Sequence, residues 1–145
     1  VHIANYLLIK GIVKDKNDAF DNYLVDGGKF YHSPLKLDFQ ETIDFIHSIG
    51  AVAVWAHPLF HVSRERMIEI LDNVKNLDGI ECYYTTYSDD DTAFMLEKAE
   101  KYHLIASGGS DYHGTNKPDT FLGTGYGNLK IPYSCYENLL GRKNK

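Results

Sequence analysis

Three side chains whose types suit metal chemistry follow two apolar segments of the sequence. Asp111 and His113 come two positions apart, after an apolar run and two glycines, and His57 follows another apolar run. If each run is a strand that ends in a tight loop, Asp111 and His113 project to the same side. A carboxylate and imidazoles that converge form half of a divalent metal site. The pattern therefore predicts a metal-dependent enzyme.

Each of these side chains also has a simpler explanation. Asp111 and His113 could belong to a turn that closes a strand, because Asp and Gly favour turns. His57 could be a buried, hydrogen-bonded histidine before the turn that Pro58 begins.

The elements that would hold these side chains alternate between helix and strand. Helices are predicted over residues 38–48, 64–73 and 90–102, and strands over residues 51–56, 79–84 and 104–107. This alternation with short connections predicts an α/β fold made of parallel βα units. In such folds, functional side chains gather at the carboxyl ends of the strands, where His57 and Asp111 fall.

The first 35 residues have a different pattern. Residues 3–10 and 15–24 each read as a helix, and no strand is predicted among them. We therefore divide the chain into a helical cap or insertion at residues 3–35 and βα units at residues 36–145.

Composition narrows the possible functions. The 145 residues have the length of one domain, and the formal net charge is −5 without a basic tract. This charge argues against binding along duplex DNA, although a pocket for one phosphate needs only a few cations. No segment approaches the roughly 20 apolar residues of a membrane span and no signal peptide is visible, which predicts a cytoplasmic protein. Cys82 and Cys135 are predicted to be reduced thiols.

Together these segments resemble the PHP superfamily, named for polymerase and histidinol phosphatase. The matching motifs are Gly50-Ala-Val-Ala-Val-Trp-Ala-His-Pro58, Asp78-Gly-Ile-Glu-Cys-Tyr83 and Gly108-Gly-Ser-Asp-Tyr-His-Gly114, in the family's order. The helical segment after His2 resembles the stand-alone phosphoesterases of this superfamily, which act on nucleotides and short RNA. The resemblance implies the C-terminal part of a distorted (β/α)7 barrel. It also implies hydrolysis of phosphate esters by water that up to three divalent ions activate, with Mn²⁺, Fe²⁺ or Zn²⁺ as candidates.

The resemblance implies roles for single residues as well. His57, Asp111 and His113 resemble metal ligands of the family and are the candidate catalytic residues. His2 resembles a histidine that shares an ion with His57, although it could also be an exposed residue at the chain end. His61 and Arg64 are candidates for binding the substrate phosphate, as Arg does bidentately, or are ordinary surface residues.

Other residues near the predicted strand ends leave their roles open. Glu81 could line the mouth of the barrel or pair with a cation inside it. Tyr83, Tyr84 and Tyr112 are candidates for contacting a nucleobase.

The sequence also departs from the family pattern. It has neither the N-terminal His-x-His strand with its further acidic or imidazole ligand nor the bridging Glu at the end of a later strand, and it begins with Val1. We expect a C-terminal portion of a larger enzyme, inactive alone, whose partner is the remaining N-terminal half of the domain. Two alternatives stay open: a degenerate PHP-like module with a structural or regulatory role, and a metal-dependent amidohydrolase on a related barrel.

Overall fold

The computed structural model of the chain describes residues 2–28, 31 and 36–143. These residues form two compact units, Val1–Lys36 and Leu37–Lys145. No helix in this described part of the chain is long and apolar enough to cross a membrane.

The first unit is helical, as predicted. It contains α1 (His2–Ile9), α2 (Lys16–Ala19) and a π-helical turn (Phe20–Leu24). Helix α2 begins after Asp15, whose carboxylate accepts a hydrogen bond of 2.8 Å from the backbone N–H of Asp18. Four buried apolar residues form the small core of this unit: Ala4, Leu7, Val13 and Ala19.

The second unit is an α/β structure around a small parallel sheet, which confirms the predicted α/β class with parallel strands. The strands are β1 (Val54–Trp55), β2 (Gly79–Tyr84) and β3 (Ile105–Gly109), in the order β1-β2-β3. The helices are α3 (Phe39–Ser48), α4 (Pro58–His61), α5 (Arg64–Asn73), α6 (Asp89–Lys101) and α7 (Ser134–Lys143), with a 3-10 turn at Gly114–Asn116.

Three of these helices begin where a polar side chain can cap them. Asp38 and Ser88 each form a capping box with the residue three positions later. In it, each of the two side chains accepts a hydrogen bond from the backbone N–H of the other residue. The Ser63 hydroxyl accepts from the backbone N–H of Arg66 at the start of α5. Because these signals are local, the predicted starts of the three helices agree with the structure to within a residue.

The core of the second unit lies between the sheet and its helices. Strand β2 is central and buried almost throughout, and α3, α5 and α6 place apolar side chains against the sheet. The residues that are almost fully buried here include Ile43, Met67, Leu71, Ile80, Cys82, Met95 and Ala99. The pairing of β2 with β3 shifts register between Glu81 and Tyr83. This irregularity lies in the part of β2 that contributes to the site described below.

A buried carboxylate ties elements together just before β2 begins. Asp78 accepts hydrogen bonds from His47 Nε2 (2.7 Å), the backbone N–H of Ala53 (2.8 Å) and Arg142 Nε (2.7 Å). It therefore links α3, the segment before β1, and α7. Because the Ala53 N–H bonds to a side chain, β1 begins one residue later and is much shorter than the strand predicted over residues 51–56.

Candidate active site at the carboxyl ends of the strands

Four polar side chains meet where the three strands end, and we call them the strand-end cluster: His57, Glu81, Tyr84 and Asp111. The backbone N–H of His57 donates to Glu81 Oε2 at 2.7 Å, and Tyr84 Oη donates to Asp111 Oδ2 at 3.0 Å. The rings of His57 and Tyr84 lie 5.1 Å apart between centroids. His57, which follows β1, and Asp111, which follows β3, are therefore both bonded to side chains of β2.

His57 is held in an unusual conformation with one ring nitrogen unsatisfied. It precedes α4 with φ 31° and ψ 56°, in the left-handed region that residues other than glycine rarely adopt. Its Nδ1 is buried and has no hydrogen-bond partner among the described residues. Such an atom costs about 1–3 kcal/mol when it is left unpaired. A lone pair of this kind fits a group that the protein chain itself does not supply, such as a metal ion.

Asp111 also has a left-handed backbone, with φ 53°. Its carboxylate accepts hydrogen bonds from Tyr84 and from Lys117 Nζ. Burial works to raise the pKa of Asp111, but the bonds from Lys117 and Tyr84 outweigh it and hold this pKa below its ordinary value. Asp111 is therefore an anion at neutral pH and suits a divalent cation.

His113 lies beside Asp111, as the two-residue spacing predicts. Its Nδ1 is 2.7 Å from the backbone oxygen of Asp111 and 3.4 Å from the carboxylate Oδ1. The His113 side chain is half exposed. One nitrogen is thus engaged with Asp111, and the ring is accessible from solvent.

Glu81 is the member of the cluster whose role the sequence analysis leaves open. Burial raises the pKa of its carboxyl to about 7; the charge of Asp111 adds to this, and the His57 N–H opposes it. A Cβ at position 109 would lie 2.5 Å from Glu81 Oε1, so Gly109 leaves the space that this carboxylate fills. The signal in the sequence was a carboxylate within an otherwise apolar central strand.

The two candidate phosphate ligands lie in different surroundings. The His61 ring is exposed, 5.2 Å from the His57 ring between centroids, and so borders the cluster. The guanidinium of Arg64 instead donates to Asp90 and Asp91, both at 2.6 Å. A phosphate at Arg64 would have to displace these two carboxylates, and we therefore leave Arg64 out of the proposed site.

The predicted metal ligands are only partly brought together. His2 is an exposed residue of the other unit, so its role stays a prediction. Within residues 2–28, 31 and 36–143, no three His, Cys, Asp or Glu side chains form a group that could hold an ion. The unpartnered Nδ1 of His57 and the anionic Asp111 are suited to be two ligands of a divalent ion. The described residues do not provide a third ligand beside them.

A cavity of about 290 Å³ opens beside Asp111. Its lining includes Phe60, Tyr84, Asp111, Lys117 and Tyr126. The cavity thus combines aromatic rings with a carboxylate and a lysine at the strand-end cluster.

Sequence comparison finds curated relatives in bacteria, although no protein-family model matches the chain. A 3',5'-nucleoside bisphosphate phosphatase of Chromobacterium violaceum is 34% identical over 115 residues, covering 77% of this chain and 40% of that protein. The 5'-3' exoribonuclease Rnm of Escherichia coli is 30% identical over 115 residues, covering 77% and 39%. The chain therefore spans about two fifths of the length of these relatives.

Structural comparison also finds neighbours that are about twice as long as this chain. A Bifidobacterium adolescentis protein described as a metal-dependent phosphoesterase has a TM-score of 0.67 and 26% identity, over 97% of this chain and 49% of that one. A Chromobacterium violaceum protein described as an amidohydrolase, with bound sulfate and no metal, has a TM-score of 0.64 and 28% identity, over 97% and 50%. The described fold thus matches about half of each neighbour.

Proposed function

We propose that the chain belongs to the PHP phosphoesterases and forms the C-terminal part of a metal-dependent hydrolase of phosphate esters. The substrate that we propose is a nucleotide, a short RNA or another small phosphorylated molecule, not duplex DNA. The three parallel strands would be part of a distorted (β/α)7 barrel, with the remaining N-terminal half of the domain as partner. The names and matched lengths of the relatives support this proposal.

One observation carries the proposal at the level of single residues. A buried nitrogen of His57, which has no hydrogen-bond partner in the part of the chain that the structure describes, lies in the same cluster as a carboxylate that is held ionised, where parallel strands end. His57, Asp111 and His113 would hold divalent ions, with Mn²⁺, Fe²⁺ or Zn²⁺ as candidates. When bound, such ions lower the pKa of a coordinated water and neutralise charge on the phosphate.

The surrounding residues would position these groups. Glu81 fixes the His57 backbone through the bond to its N–H, and Tyr84 orients the carboxylate of Asp111. Lys117 and His61 lie beside the cluster and are suited to bind the phosphate oxygens of a substrate. Lys117 would then contribute both to phosphate binding and to the ionisation of Asp111, whereas the orientation of His57 would depend on Glu81.

The test uses the complete gene product with His57→Ala and Asp111→Ala variants. We expect Mn²⁺-dependent release of phosphate from p-nitrophenyl phosphate and a nucleoside bisphosphate, and two to three ions per protein by elemental analysis. Each variant should lose several orders of magnitude in turnover while its circular dichroism spectrum is unchanged. His103→Asn serves as the control, because His103 is exposed and Asn tolerates its positive φ of 55°.

Three results would count against the proposal in different ways. Wild-type turnover in both variants would show that these residues are not catalytic. Neither metal nor activity in the wild-type protein would favour the non-catalytic module. Hydrolysis of an amide panel without phosphatase activity would favour the amidohydrolase alternative, which the description of one structural neighbour keeps open.

A further inference from the structure

The cavity beside Asp111 has aromatic walls that the proposed chemistry of phosphate hydrolysis does not use. Phe60 and Tyr126 both line it, and 61% and 58% of their surfaces are exposed. Tyr84 forms a third aromatic part of the wall and also bonds to Asp111. One ring of the aromatic wall is thus bonded to a candidate metal ligand.

The position of Phe60 is fixed by neighbouring rings. It belongs to α4, directly after His57, and its ring centroid lies 5.8 Å from that of His57 and 5.0 Å from that of His61. The Tyr84 ring lies 6.3 Å away in an edge-to-face arrangement. Phe60 therefore has a defined place relative to the strand-end cluster, although most of its surface is open to solvent.

The part of the wall that Tyr126 forms depends on a tight loop. Phe121 and Gly125 exchange two backbone hydrogen bonds of 2.7 Å and 3.0 Å, and Tyr126 follows directly. Gly125 has φ 59°, and a Cβ there would lie 2.7 Å from Thr85 Oγ1. Only glycine lets this loop turn and approach Thr85 so closely.

Ser110 attaches this loop to the ends of two strands. Its hydroxyl accepts from the backbone N–H of Gly123 at 3.1 Å, and its backbone oxygen accepts from Thr85 Oγ1 at 2.7 Å. Ser110 itself is buried. The loop that carries Tyr126 is therefore held to the carboxyl ends of β2 and β3, and these bonds position Tyr126 at the cavity.

The size and polarity of the cavity limit what it can hold. Its volume of about 290 Å³ is at the small end of ligand pockets, which typically start at about 300 Å³. Lys117 and Asp111 lie at the wall next to the cluster, whereas Phe60 and Tyr126 supply apolar faces. One planar aromatic group with an attached phosphate fits this arrangement better than an extended chain.

We propose that Phe60 and Tyr126 hold the nucleobase of the substrate, with its phosphate directed toward Asp111 and Lys117. Aromatic rings stack on any base, so this subsite would favour nucleotides over other phosphate esters without strong preference among bases. The inference deepens the proposed function and depends on it for the phosphate end of the substrate.

The test compares a substrate with and without a base in the complete gene product. Phe60→Leu and Tyr126→Leu remove a stacking face but keep apolar bulk. We expect each to raise the ratio of KM for adenosine 5'-monophosphate to KM for ribose 5-phosphate about tenfold. Tyr126→Phe should restore the ratio, and Tyr136→Ala, at an exposed ring on α7, should not change it.

Equilibrium binding of adenosine, measured calorimetrically without metal, tests the base subsite independently of phosphate ester hydrolysis. Adenosine binding that both leucine variants weaken supports the subsite even if the protein hydrolyses neither phosphate ester. A KM ratio that neither leucine variant changes in an active enzyme overturns the subsite and leaves phosphoesterase activity intact. Absence of adenosine binding by the wild-type protein also overturns it.

Discussion

Replacing Glu81 by glutamine should show that this buried carboxyl opposes folding once it is ionised. The substitution removes the charge and keeps an oxygen that can accept the hydrogen bond from the His57 N–H. The side chain volume hardly changes, so the space over Gly109 stays filled. The variant therefore isolates the electrostatic cost of burying Glu81.

The raised pKa sets the size and the pH range of this cost. The folded state holds the Glu81 proton up to a pKa of about 7, because burial raises it from 4.5. The unfolded chain releases that proton near pH 4.5, so stability falls as pH rises from 4.5 to 7 and is then constant. Each unit of difference corresponds to about 1.36 kcal/mol, which gives a full cost of about 3 kcal/mol above pH 7.

The measurement is urea unfolding of the wild-type chain and the variant at pH 5 and pH 8, with chelator present. We expect the free energy of unfolding of Glu81→Gln, relative to wild type, to increase by about 2–3 kcal/mol between these pH values. Glu100→Gln, at an exposed position on α6, is the control and should show no such change. A difference between variant and wild type that is the same at both pH values would refute the reasoning.

Three further predictions concern the second unit. Asp78→Ala should lower the free energy of unfolding by about 3 kcal/mol in urea, because three hydrogen bonds lose their acceptor. Gly108→Ala should cost about 1–3 kcal/mol in thermal unfolding, since its Cβ would lie 2.8–3.0 Å from two side chains. Gly141→Ala, which meets open space, should cost nothing. Burial raises the pKa of the Cys82 thiol to about 12, so iodoacetamide should modify it only after unfolding, by mass spectrometry.

Local signals made much of the second unit predictable. The prediction for α5 is correct at both ends, because Ser63 caps it and the apolar spacing continues to its last turn. Strand β2 is also correct at both ends, since its residues are buried on both faces. The positions of His57 and Asp111 at strand ends followed from the parallel βα pattern alone.

Tertiary contacts decided what the sequence did not predict. Helix α7 was not predicted, although it supplies Arg142, which reaches a carboxylate 64 residues earlier. The bond of Lys117 to Asp111 and the packing of Glu81 over Gly109 also join distant positions. Whether His2 shares an ion with His57 stays a prediction, because the two residues belong to different units.

The left-handed backbone at His57 and Asp111 has a consequence for laboratory evolution. A side chain in this region costs of order 1 kcal/mol or more, and glycine would relieve that cost. In a library selected only for thermal stability, glycine should therefore be enriched at positions 57 and 111, and the histidine and the aspartate should be lost. Selection for turnover would instead retain His57 and Asp111. The residues found at these two positions would therefore show whether a population was selected for stability or for activity.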